Sequence, residues 1–305
     1  MSEANIPKHG LLNIGEEALP LFAVLPEPSS LFATRAKRFA ALAAGNPLGA
    51  YLTFLSDLSQ VQNDIQADLP PVVLPDAGDI DQALDNSMPP LPAAGIAIDD
   101  VALLTVEHLL QRVAAMQVPA PTRTALDALH SASPDIRKSV VADALTTEPP
   151  ANEIAQRVLV LAGLQVHFAR LASLLDDRRL KRITDGVCPS CGSAPVSSSV
   201  VGWPKAHNMR FCTCSLCATM WNVVRVKCVL CSSTEGINYH NVEGAPDTVK
   251  AESCDSCKRY VKVLYQVKDH LLEPVADDVA TLGLDMLMAD EGWQRGARNA
   301  FLLGY

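Results

Sequence analysis

Cys188-Pro-Ser-Cys191, Cys214-Ser-Leu-Cys217, Cys228-Val-Leu-Cys231 and Cys254-Asp-Ser-Cys257 are four Cys-x-x-Cys pairs within seventy residues. Twenty-two residues separate Cys191 from Cys214, and twenty-two separate Cys231 from Cys254. Adding 40 to each of the first four positions gives the second four. This is an internal repeat in candidate ligand positions, and two tetrahedral metal sites in tandem are its simplest meaning. A two-residue spacer lets both sulfurs of a pair face one ion from a tight turn, and four thiolates satisfy zinc or iron. Gly192, directly after Cys191, suits a knuckle that needs a positive φ. Ala218, Ser232 and Lys258 hold that place in the other pairs, so less regular turns are expected there.

The repeat puts Cys188, Cys191, Cys214 and Cys217 on one mononuclear ion, and Cys228, Cys231, Cys254 and Cys257 on the other. A crossed arrangement, with the first and third pairs sharing an ion, would break the repeat. Four reduced pairs buried without metal is the bland alternative, and the strict recurrence argues against it. Cys212 is the ninth cysteine. Its repeat equivalent is Glu252, so it reads as an ordinary strand or loop thiol. Four protein ligands close a site and leave no position for a substrate. Lewis-acid hydrolysis is therefore not expected. For small β-modules with little core, metal binding is itself a folding term, and holding the modules in shape is the plainest role. Iron in such a site could cycle one electron; zinc could not.

Around this segment the 305-residue chain is 49% apolar and 19% charged, enough for two or three domains with substantial cores. Ala and Leu dominate and favour helix. The first thirty residues lack a basic start followed by an apolar run, and the longest apolar run, Val158–Val166, is too short to span a bilayer. A soluble, cytoplasmic protein without membrane insertion is expected, a compartment where Cys pairs are metal ligands more often than disulfides. Net charge is −9, but residues 181–270 carry 11 Lys and Arg against 7 Asp and Glu. That local excess offsets the charge of metal–thiolate centres and does not require nucleic acid. Overall acidity argues against a nucleic-acid-binding zinc ribbon, although Trp221, Tyr239, Tyr260 and Tyr265 would suit one.

Residues 1–28 show weak patterning and read as a surface arm pinned by Leu11 and Leu12. Ser29 and Ser30 are N-cap candidates for a helix over 31–44 that ends at Gly45. Asn46-Pro47 restarts a second helix, with Tyr51, Phe54, Leu55, Leu58, Val61 and Ile65 on its buried face. Residues 69–100 hold six prolines and read as an extended connector in which short helices could hide. Helices follow over 101–116, 121–132 and 135–146. The segment 152–175 is apolar on most sides and belongs in the middle of a bundle. Short β-prone runs over 220–226 and 260–267 occupy equivalent places in the repeat. Helix returns near Asp277, with Val279, Leu282, Met286 and Leu287 as its apolar face, and residues 298–305 dock back on the body. The expected fold class is α+β: an all-α domain over 1–180, four-cysteine zinc-ribbon modules over 181–226 and 227–270, and a C-terminal helical segment over 271–305.

Other chemistry is thin. His9, His108, His130, His167, His207, His240 and His270 are scattered; only His207 and His240 lie inside the repeat. Asp277-Asp278 reads as a helix start before it reads as a catalytic pair. Phosphate loops, nucleophile elbows and dinucleotide fingerprints are missing. A catalytic role is not expected.

The run from Arg210 to Cys228, RFCTCSLCATMWNVVRVKC, resembles the signature of the formate dehydrogenase accessory proteins of the FdhE type. The opening Cys188-Pro-Ser-Cys-Gly192, the run Ala251-Glu-Ser-Cys-Asp-Ser-Cys257 and the helical Arg35-Ala-Lys-Arg-Phe39 segment fit as well. Met220 and Asn222 stand where the pattern expects more polar residues. The resemblance implies a cytoplasmic, non-enzymatic protein that engages the catalytic subunit of respiratory formate dehydrogenase during its maturation. It also implies two rubredoxin-like sites that hold iron in preference to zinc. An iron-based redox protein or oxygen sensor acting during maturation is the second reading.

Overall fold

The computed structural model describes residues 22–94, 98–146 and 150–304. The expected arm therefore lies mostly outside the described residues, as do Leu11, Leu12 and Tyr305. Among the described residues, seven α-helices follow the short strand at Ala23–Val24: α1 (Pro28–Ala43), α2 (Gly49–Asp64), α3 (Ala77–Asp85), α4 (Asp100–Ala114), α5 (Ala120–Ser131), α6 (Pro134–Thr146) and α7 (Ile154–Ala172). α1 starts earlier than Ser29: Glu27 occupies the N-cap and Pro28 the first turn, where its missing N–H costs nothing. Asn46 accepts from Leu48 N at 2.9 Å, so it closes the turn before α2 and does not cap the helix itself. α3 is the helix hidden in the connector, pinned by Leu84 against Ala23 and Leu180.

α7 is buried on nearly every side and forms the axis of the bundle. Gly163 makes its crossing with α4 close: a Cβ there would stand 2.9 Å from Val106 Cα. The same core continues past the helices, since Leu161, Leu164 and Phe301 share one cluster with Cys188, Cys191, Cys214, Cys217 and Trp221.

The remaining strands are β1 (Ala23–Val24), β2 (Pro195–Val200), β3 (Arg210–Cys214), β4 (Met220–Val223), β5 (Ile237–His240), β6 (Val249–Cys254), β7 (Arg259–Tyr265) and β8 (Gln294–Arg295). Each cysteine segment is an antiparallel meander, β2-β3-β4 and β5-β6-β7. The two meanders are fused: β2 pairs with β7 in parallel, from Ser198–Val263 to Val200–Tyr265, giving one sheet in the order β1-β4-β3-β2-β7-β6-β5. The β-prone runs correspond to β4 and β7, both shorter than the expected spans. The first strand of each meander carries no β-pattern of its own; β2 is Pro-Val-Ser-Ser-Ser-Val and is buried throughout.

The expected C-terminal helix is two, α8 (Ala276–Ala280) and α9 (Leu282–Asp290), broken at Thr281. The break shifts the helical phase. Val279 and Leu282 are buried, but Leu284 and Met288 complete the face, while Met286 and Leu287 are exposed. No helix among the described residues is long and apolar enough to cross a membrane.

Candidate metal centres

Each knuckle is a turn ending in a left-handed residue. φ is 78° at Gly192, 60° at Ala218, 65° at Ser232 and 56° at Lys258. The turns are thus regular even without glycine, contrary to the expectation for three of them. The hydrogen bonds repeat with the geometry: Gly192 N donates to Cys188 O at 2.9 Å, Ser232 N to Cys228 O at 3.0 Å and Lys258 N to Cys254 O at 2.9 Å. Closure of the turn around the sulfurs outweighs the side-chain preference at the last position.

The knuckles bring the thiols together in two groups, Cys188/Cys191/Cys214/Cys217 and Cys228/Cys231/Cys254/Cys257, with all sulfurs of a group within 4.8 Å of one another. No group combines the first pair with the third. Sγ–Sγ separations are 3.6 Å for Cys188–Cys217, 3.4 Å for Cys191–Cys214, 3.8 Å for Cys228–Cys257 and 3.7 Å for Cys231–Cys254. A tetrahedron with metal–sulfur bonds of about 2.3 Å has edges of about 3.8 Å, whereas a disulfide needs about 2.05 Å. The donor sets therefore fit a four-coordinate ion, and the two groups could hold two metal ions.

Burial opposes ionisation in the first group. It pushes Cys188 and Cys214 up, while hydrogen bonds from its three neighbours overcome burial and hold Cys191 down. Several thiolates are stable there only beside a cation. In the second group burial pushes Cys228 up, whereas the Cys257 and Ser256 backbone N–H groups overcome it at Cys254 and hold that thiol at about 7.

The surroundings of the two groups differ. The first lies in the joint core, and two outside elements and one internal hydroxyl pair hold it. Leu91 N and Ala93 N of the proline-rich connector donate to Ser190 O at 3.0 Å and Cys191 O at 2.9 Å. Gln165 of α7 donates to Ser215 O at 2.9 Å. Thr219 Oγ1 lies 3.2 Å from Cys217 Sγ and donates to Ser190 Oγ at 3.0 Å. In the second group Cys231 is exposed and Cys257 half-buried. Beside the first group a cavity of about 180 Å³ opens between the bundle and the sheet, lined by Leu145, Leu161, Gln165, Ser193, Leu216 and Arg298 among others.

Cys212 sits on β3 between Ser198 and Trp221, outside both groups. Burial pushes its thiol up to about 12, which keeps it protonated and inert. Its repeat equivalent, Glu252, ends in a buried ion pair: Arg210 Nη1 donates to Oε2 at 2.7 Å and Nη2 to Oε1 at 3.0 Å. Arg210 also donates to Ser198 Oγ at 2.9 Å, so one guanidinium spans β3, β2 and β6.

None of the described histidines joins a thiol group; His9 lies outside the described residues. His130, His207 and His270 are exposed and His108 is half-buried. His167 is buried on α7, and His240 Nε2 meets Ser253 Oγ at 2.8 Å. Asp277 and Asp278 lie in the first turn of α8 but face different partners. Arg38 bonds Asp277 at 2.7 and 2.8 Å, while Asp278 meets Lys262 and Arg295. Asp277 ties α8 to α1 and Asp278 ties it to β7 and β8, and neither offers an open catalytic pair. The contacts of Gln165 and Arg210 are the ones the sequence left unassigned. Each carried a signal: a lone amide inside an apolar run, and a cation whose acid sits in the other repeat.

Fold and thiol geometry together define a class: a helical bundle fused to a duplicated four-cysteine sheet whose two thiol groups could each hold a metal ion. Residues 20–185 match the FdhE N-terminal family, 187–225 the FdhE central domain and 226–302 the FdhE C-terminal domain. The chain belongs to the FdhE family. It is 40% identical over 286 residues to a protein FdhE homolog of Rhizobium meliloti (strain 1021), covering 93% of this chain and 94% of that protein. A homolog from Serratia proteamaculans (strain 568) is 36% identical, with 94% and 92% covered. The crystal structure of the FdhE protein from Pseudomonas aeruginosa superposes with a TM-score of 0.82 at 28% identity, covering 93% of this chain and 99% of that one.

Proposed function

We propose that this protein is a non-catalytic, cytoplasmic accessory factor for respiratory formate dehydrogenase, docking the enzyme's catalytic subunit during maturation. The observation that carries the reading is the pair of closed four-thiolate groups built into a docking-sized scaffold. With Cys188, Cys191, Cys214 and Cys217 on one ion, and Cys228, Cys231, Cys254 and Cys257 on the other, all four positions of each metal are filled by protein. When bound, the metals supply folding free energy, and iron adds a one-electron couple. We assign iron in preference to zinc. Docking then falls to surfaces, and the joint between bundle and first group gives a rigid one.

The test is co-purification of the catalytic subunit with the tagged protein, alongside formate dehydrogenase activity in a deletion strain. Capture of the subunit and loss of activity on deletion are expected. Normal activity in the deletion strain with no capture would sink the reading. The exposed Cys231 favours one alternative, electron exchange through the second centre. Spectra of protein purified anaerobically from its native host, reduced and oxidised, separate the two: colourless protein with stoichiometric zinc removes the redox reading and leaves docking.

A further inference from the structure

β5 is one edge of the sheet. β3-β4 and β6-β7 follow the repeat residue by residue: Cys212 pairs with Trp221, and Glu252 with Val261. In the first repeat Cys212 also faces Ser198 of β2, and Ser198 has Val263 of β7 on its other side. In the second repeat Glu252 faces Tyr239 of β5, and no strand among the described residues lies beyond Tyr239. The edge that the first repeat fills with a parallel strand is open in the second. Proteins usually blunt such an edge with Lys, Pro, a bulge or a very short strand, because its free N–H and C=O groups template another strand; β5, four residues long, has only the last of these. Gly236–Asn241 contains neither Lys nor Pro, and the β5-β6 register runs without a shift. Tyr239 and Val242, both large, are 40% and 36% exposed.

The segment that carries the edge is acidic. From Ser232 to Val249 there is no Lys or Arg, but there are Glu235, Glu243 and Asp247. Lys250 and Lys268 hold Asp247. Glu235 and Glu243 are exposed on either side of the strand. Glu291 adds a third acid, its Oε2 4.0 Å from His240 Nδ1.

We propose that β5 receives an extended, basic segment of a partner protein as an added strand, parallel to β5 as β7 is to β2. Main-chain bonds would supply affinity and the flanking acids selectivity. This rests on the reading above, that the protein docks a partner.

Hydrogen exchange over residues 237–241, read with and without the formate dehydrogenase catalytic subunit, tests it in the full chain. We expect amide exchange there to slow at least tenfold in the complex. Glu235→Lys with Glu243→Lys should weaken capture about tenfold at low salt and less at high salt. Tyr239→Pro should abolish the protection; the double charge reversal, on the surface, serves where that proline disturbs folding. A complex that forms with exchange at 237–241 unchanged overturns the inference and leaves the docking role standing. Absence of any complex overturns both. Protection already present in the isolated protein at all concentrations assigns the edge to its own chain, and protection that grows with its concentration assigns it to a second copy. Either result overturns the proposal.

Discussion

At Ala218 an L-residue holds φ at 60°, the backbone that Gly192 adopts at 78°. The Cβ makes that conformation costly, and only the closed knuckle enforces it. Ala218→Gly should therefore raise the unfolding free energy by roughly 1 kcal/mol in urea titration. Gly192→Ala should lower it by at least as much, since the new Cβ also stands 3.2 Å from Pro89 Cγ. His167 makes the fold sensitive to mild acid. Burial holds its pKa below the usual imidazole value, with Arg170 in the same direction and Asp99, Oδ1 at 3.8 Å, only partly opposing. The unfolded chain then binds the extra proton first. Stability should fall as pH drops from about 6.5 toward the folded value. Denaturant melts at pH 7.5 and 6.0 should show that slope in the parent and a flatter one in His167→Gln.

At the scale of the element, the two cysteine meanders share geometry and differ in cover. The connector, α7 and the Thr219–Ser190 pair close over the first group, while Cys231 of the second faces solvent. A chelator added to the metal-loaded protein should strip the second centre at least tenfold faster. Mass spectrometry after alkylation should find Cys231 and Cys257 modified while Cys188 and Cys217 are protected; equal rates at both centres would contradict the asymmetry. Much of this element plan is legible in the sequence. The thiol partition follows from the spacing, and α1, α2, α4 and α7 follow from apolar periodicity. β2 and β5 do not, because Ser-Ser-Ser and Ile-Asn-Tyr-His acquire strand character only from the neighbours that pair with them. The break at Thr281 was hidden as well: the apolar residues of 279–287 look continuous, and Lys262 bonding the Asp278 and Thr281 carbonyls exists only in three dimensions.

Across the whole molecule, Arg210 and Glu252 join the two repeats through a sheet that neither repeat builds alone. Each is almost wholly buried. Arg210→Met would strand the carboxylate and should cost about 3–5 kcal/mol, whereas Arg210→Met with Glu252→Leu should recover most of that loss. Urea unfolding of the two variants checks it, and the metal content of both should match the parent. The parallel pairing of β2 with β7 has a consequence for the protein's birth. Ser198 leaves the ribosome 65 residues ahead of Val263, its partner. At 5–20 residues per second that interval is roughly 3–13 s. Through it the nascent chain carries a finished first knuckle beside a strand still waiting for its neighbour, so the speed of translation sets how long that strand is open to the wrong one.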